Sequence, residues 1–167
     1  MVEQYPFFVY GTLMPGQPND HLWEDCIGRA ERGLFRNGRL YDMESFPMLI
    51  EGSGKMVEGQ VMYPHPDLSV KAYELLVQRL DNLENHNPED IDNSPYYRVL
   101  RTIFVQDHQT VTAWVYLGRP PYTKGRPLIN NGSWANHSAH NHAPIAIWWE
   151  KHGQASLFNK NSNDRVE

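Results

Sequence analysis

Cys26 is the only cysteine among 167 residues, so no disulfide can form within the chain and a disulfide-stapled scaffold is excluded. No apolar run approaches the length a helix needs to cross a bilayer. The opening residues, Met1-Val2-Glu3-Gln4-Tyr5-Pro6, lack the basic start and apolar stretch of a secretory signal. Dense basic blocks are missing as well. Fifteen Lys and Arg are dispersed along a chain of net charge −5, which argues against a dedicated nucleic-acid surface. There is no internal repeat and no long low-complexity tract. These absences lead us to expect a cytoplasmic protein with no nucleic-acid and no membrane partner. Oligomeric state has no legible signature. The length suits one domain over 1–167, with a core at about 5–118 and a C-terminal extension at 119–167.

What is present reads mostly as strands around one strong helix. Tyr5 to Tyr10 is an aromatic and β-branched run that ends at Gly11. Leu34 to Asp42, Phe46 to Ile50 and Val57 to Tyr63 follow as strand candidates, and Pro64 and Pro66 stop the last. Asp67 offers a helix N-cap, and Leu68, Ala72, Leu75, Leu76, Leu80 and Leu83 recur at helical spacing up to Glu84-Asn85. The polar stretch from Asn85 to Pro95 predicts a loop. Tyr97 to Val105 and Thr110 to Leu117 predict a hairpin. Arg119 to His142, rich in Pro, Gly, Asn and His, predicts a segment that wraps the surface. Pro144 and Gly153 bracket a late helix with Ile145, Trp148 and Trp149 on one face, before a polar tail from about Asn159. This order predicts a mixed α+β fold with a curled or barrel-like sheet.

Two places carry chemistry. Tyr10-Gly11-Thr12-Leu13 directly follows an apolar strand. A glycine there allows positive φ and close approach of a ligand, and successive N–H groups after such a turn can cradle a carboxylate or oxyanion. The Thr12 hydroxyl adds a possible donor. A glycine turn with no ligand would look the same. The second place is Glu84, at the junction of the strong helix with its loop. Held beside the core, its carboxyl would be partly desolvated, raised in pKa and able to exchange protons near neutrality. An exposed helix-terminal Glu is the alternative, although a negative charge opposes the dipole at that end. Asp81 is expected to turn in another direction.

Taken together, Phe8-Val9-Tyr10-Gly11-Thr12-Leu13 and Pro15-Gly16-Gln17-Pro18-Asn19 resemble the opening signature of the gamma-glutamylcyclotransferase superfamily, most closely its gamma-glutamylamine cyclotransferase branch. Phe46-Pro47-Met48-Leu49-Ile50, Val57-Glu58-Gly59-Gln60-Val61, Leu80-Asp81-Asn82-Leu83-Glu84 and Tyr96-Tyr97-Arg98-Val99 follow in the family's order. The resemblance covers about Phe7 to Leu117, with a weaker trace at Gly132-Ser133-Trp134. It implies a small mixed β-barrel flanked by helices, no cofactor and no metal. It also implies conversion of a gamma-glutamyl amine or amino acid to 5-oxoproline and a free amine. The catalytic glutamate of the family falls on Glu84. Its substrate-binding loop falls on Tyr10, Gly11, Thr12 and Leu13. The aromatic of its Tyr-x-Arg region, which lines the pocket, falls on Tyr97, and Arg98 supports the barrel. The sequence departs from the family in the length of Asn85 to Pro95 and in its Pro- and His-rich tail.

Two other readings remain open. The barrel could bind a small molecule without catalysis, although the presence of Glu84 speaks against that. His137, His140 and His142, spaced by three and two, could ligate zinc in a metal-dependent hydrolase, but a solvated loop fits that composition better. The other histidines are scattered. Trp114, Trp134, Trp148 and Trp149 suit a core better than a protein-interaction surface.

Overall fold

The computed structural model describes residues 3–141. Five strands close into a barrel: β1 (Phe7–Val9), β2 (Ile27–Phe35), β5 (Val57–Pro64), β6 (Tyr96–Phe104) and β7 (Thr110–Gly118), in the order β1-β5-β2-β6-β7. Two more, β3 (Gly38–Asp42) and β4 (Pro47–Glu51), form a separate hairpin. Helices α1 (Val70–Glu84) and α2 (Trp134–Asn141) complete the small α+β fold.

Closure depends on the shortest strand. β1 runs antiparallel to β5 and parallel to β7, where Phe7 lies opposite Trp114 and the Trp114 N–H donates to the Pro6 carbonyl at 2.9 Å. Phe7, Phe8, Val61, Ile103, Val115 and Leu117 fill the core and are fully buried. Each such side chain contributes roughly 1.5–3 kcal/mol by leaving water. The expected hairpin of 97–105 with 110–117 is present as β6 and β7, paired without a break from Tyr96–Gly118 to Phe104–Thr110.

Three expectations need correction. The run Leu34 to Asp42 is not one strand. Phe35 ends β2 and Gly38 begins β3, while β2 itself reaches back to Ile27. Its first half, Gly28-Arg29-Ala30-Glu31-Arg32, lies largely exposed on the barrel's outside, so no apolar alternation marks it. The helix cap is Ser69, whose Oγ accepts the Ala72 N–H at 3.1 Å, and not Asp67. On α1 the buried face is Tyr73, Leu76, Leu80 and Asp81, with Leu75 exposed.

Within 119–141 the chain does more than wrap the surface. The Asp42 N–H donates to the Pro127 carbonyl and the Ile129 N–H to the Leu40 carbonyl, so residues 127–129 lie along β3. Ile129 and Trp134 are buried. The late helix and tail expected from Pro144 onward lie outside the described residues.

Glycine is required where β5 passes β1. A Cβ on Gly59 would stand 2.3 Å from the Val9 carbonyl oxygen and under 3 Å from the Phe8 ring. Gly59→Ala is therefore expected to destabilise the protein by about 1–3 kcal/mol, read as a lower urea midpoint at unchanged slope.

Candidate active site

The chain leaves β1 through Tyr10 and enters an irregular segment whose backbone is committed on one side only. The Gly11 carbonyl accepts from the Met14 N–H, the Thr12 carbonyl from the Asn19 N–H, and the Leu13 carbonyl from Trp23 Nε1 at 2.8 Å. The N–H groups of Gly11, Thr12 and Leu13 have no acceptor among the described residues. All three residues are buried. Buried N–H groups without partners are rare in folded proteins, and a set of three directs attention to a ligand. Thr12 Oγ1 accepts from Asn19 Nδ2 at 3.0 Å, which leaves its own proton available to donate.

Gly11 does not adopt the positive φ expected for it. A tight approach requires it instead: a Cβ there would sit 2.6 Å from Cγ of Pro47. Pro47, which opens β4, thus packs against the turn directly.

These residues line a cavity of about 350 Å³, and Glu84 lines it too. Helix α1 ends in a Schellman motif that fixes this acid. Asn85 takes the left-handed conformation, its N–H reaching the Asn82 carbonyl, and the His86 N–H donates to the Asp81 carbonyl at 2.9 Å. Among the described residues no hydrogen bond or ion pair reaches the Glu84 carboxylate. Burial alone pushes its pKa up to about 7.

Tyr10, Tyr96 and Tyr116 form walls of the cavity. Their hydroxyls are turned to protein acceptors. Tyr10 donates to the Tyr116 carbonyl at 2.6 Å, Tyr96 to the Pro47 carbonyl at 2.8 Å, and Tyr116 to Asp81 Oδ1 at 2.6 Å. Burial holds all three phenols well above their ordinary pKa, and the nearby Glu84 charge adds to this.

Beneath them lies a charged cluster. Asp81, only 6% exposed, takes Arg98 Nε at 2.8 Å and Nη2 at 3.3 Å. The Arg98 guanidinium also covers the Trp114 ring, and the Arg98 N–H donates to Nδ1 of buried His86. Burial lowers the His86 pKa, in keeping with the acceptor role of its Nδ1.

The structure thus brings Tyr10, Gly11, Thr12, Leu13 and Glu84 to one cavity. It does not bring Tyr97 there. Strand alternation puts the neighbouring Tyr96 into the wall, and the Tyr97 ring lies under Arg119. Asp81, expected to turn away, faces the barrel. Its position four residues after Val77, which packs against the core, was the available signal. Asn19 and Phe46, which stand in two of the family-like motifs, also line the cavity, as do Met43, Tyr116 and Tyr122, which carry no sequence signal of their own. His137 of the suggested metal cluster meets Asp42 at 2.8 Å, and His142 lies outside the described residues. Among the described residues no three His, Cys, Asp or Glu side chains are grouped to hold a metal.

Two outcomes follow. Asp81→Ala leaves Arg98, with its side chain 15% exposed, lacking its counter-charge. It is expected to cost about 3 kcal/mol or more in urea unfolding. Glu84 has a folded pKa above its unfolded value. Its contribution to stability is therefore complete below about 4.5 and is lost as pH rises through about 7. Glu84→Gln is expected to melt higher than the parent at pH 8, with the difference closing at pH 4 in thermal melts.

A Drosophila melanogaster protein named "Putative gamma-glutamylcyclotransferase CG2811" is 30% identical over 125 residues, 67% of this chain and 68% of its own length. The Bos taurus gamma-glutamylaminecyclotransferase is 47% identical over 47 residues, 28% of this chain and 26% of that protein. In fold, the crystal structure of YkqA from Bacillus subtilis superposes with a TM-score of 0.60 at 19% identity, covering 83% of this chain and 42% of that one. Residues 7–136 match the family described as gamma-glutamyl cyclotransferase, AIG2-like. With its barrel, its amide-lined turn and most of its length inside that match, the chain belongs to the AIG2-like gamma-glutamyl cyclotransferase family.

Proposed function

We propose that this protein cyclises the gamma-glutamyl group of a small amide to 5-oxoproline and releases the amine, with Glu84 as general base and then general acid. The observation that carries this reading is the sharing of one cavity by a partly buried carboxyl and three backbone N–H groups, none of which has a partner among the described residues.

A gamma-glutamyl group holds its nucleophile, the α-amine, and its electrophile, the γ-carbonyl carbon, on one short chain. Closing the five-membered ring needs the right rotamer more than chemical force, and orientation supplies roughly 7 kcal/mol or more. The N–H groups of Gly11, Thr12 and Leu13 hold the α-carboxylate, with the Thr12 hydroxyl as a fourth donor. The α-amine arrives as an ammonium ion. Glu84 removes one proton, the freed nitrogen attacks the γ-carbonyl, and a tetrahedral centre forms. Glu84 then passes the proton to the departing nitrogen as the old C–N bond breaks, takes the second proton from the ring nitrogen to leave the neutral lactam, and gives that proton up to the released amine. A carboxyl with a pKa of about 7 can perform both transfers at neutral pH. Tyr10, Tyr96 and Tyr116 wall the reaction and stay protonated, so among the described lining residues Glu84 is the one that exchanges a proton near neutrality.

The test is release of 5-oxoproline from a panel of gamma-glutamyl amines and amino acids. kcat/KM is expected to rise with pH through about 7, because Glu84 must be deprotonated to act on the ammonium ion. Glu84→Gln is expected to keep substrate affinity and lose about 100-fold or more in kcat. A variant that stays within about tenfold of the parent would exclude Glu84 as the proton carrier.

A further inference from the structure

The cavity changes chemistry along its depth. Its inner end is polar and buried, formed by the free N–H groups of residues 11–13 together with Thr12 and Asn19. At its mouth stand Phe46, 37% exposed, and Tyr122, 49% exposed, two of the large apolar side chains that the described fold leaves to water. Met43, only partly buried, lines the cavity beside them. Among the described residues no Lys, Arg or His belongs to the lining, and Glu84 is its one carboxyl. The guanidinium groups close in sequence to Tyr122 are engaged. Arg119 donates to the Ser94 and Ile91 carbonyls and covers Tyr97, while Arg126 pairs with Glu44. Exposed Lys124 lies outside the lining.

From this division we infer that the leaving amine carries no charged group beyond its own nitrogen and has an apolar body, an arylalkyl or branched alkyl amine, and that Met43, Phe46 and Tyr122 select it. The inference rests on the cyclotransferase reading and narrows it. With the charged gamma-glutamyl head at the N–H end, the departing group points to the mouth. A carboxylate on the carbon next to the departing nitrogen would meet aromatic rings and the Glu84 carboxylate, with no cation among the described lining residues to receive it. An apolar amine instead covers the half-exposed faces of Phe46 and Tyr122.

The test uses the full chain and three substrates. Gamma-glutamyl-phenethylamide and gamma-glutamyl-phenylalanine differ only by a carboxylate, and gamma-glutamyl-ε-lysine carries charge at the far end of its leaving group. kcat/KM for the phenethylamide is expected to exceed that for the phenylalanine compound by roughly 100-fold, and that for the lysine compound by roughly tenfold. Phe46→Ala combined with Tyr122→Ala is expected to raise KM for the phenethylamide about tenfold with kcat unchanged. Phe46→Arg is expected to improve turnover of the phenylalanine compound. Equal or better turnover of either charged substrate by the parent, or a rim variant with unchanged KM, would overturn the inference. Calorimetry on Glu84→Gln separates the two claims. The same order of binding without turnover by the parent would uphold the selection and overturn the reaction, while no binding of any compound would overturn both.

Discussion

The pairing of Asp81 with Arg98 is the contact on which the rest of the site depends. Asp81 lies one turn before Glu84 on α1, Arg98 lies on β6, and Tyr116, which donates to the same carboxylate, lies on β7. One buried ion pair therefore ties the end of the helix to two barrel strands. The Asp81 main chain also takes part in the turn that ends the helix. Tyr116 in turn holds the Tyr10 hydroxyl through its carbonyl. The position of the acid, the orientation of two cavity walls and the start of the amide-lined turn all refer back to this cluster. Its charge balance matters too. The guanidinium cancels the Asp81 carboxylate, so Glu84 has no uncompensated anion one helical turn away.

The contrast between the two carboxylates of α1 shows how environment divides roles. Asp81 receives three donated hydrogen bonds, two of them from a cation, and serves as structure. Glu84, three residues later, receives none among the described residues and titrates near neutrality. The same functional group is an anchor in one place and a proton carrier in the other because donors reach only the first.

Much of this architecture is legible in the sequence, for identifiable reasons. The β6–β7 hairpin and α1 announce themselves through runs of β-branched residues and through leucine spacing. The strand ending in Tyr10-Gly11-Thr12-Leu13 and the helix ending in Glu84 mark the two halves of the site. What stays hidden depends on contacts between distant segments. β2 carries Arg and Glu on its outer face, so burial does not print a pattern on it. Gly11 reads as a glycine of unusual φ, whereas Pro47, thirty-six positions on, is what excludes a side chain there. Tyr96 and Tyr97 are adjacent and chemically identical, and only strand phase decides which faces the cavity. The rim residues Met43, Phe46 and Tyr122 come from two loops whose meeting no local spacing encodes.

The engagement of all three wall hydroxyls has a thermodynamic consequence. With their oxygens bound to Asp81 and to backbone carbonyls, Tyr10, Tyr96 and Tyr116 offer a guest mainly ring carbon. Hydration water at those faces has few groups to hold it, and it leaves when a guest enters. Association should therefore carry the negative heat-capacity change of apolar burial, even for a guest whose head group is fully charged.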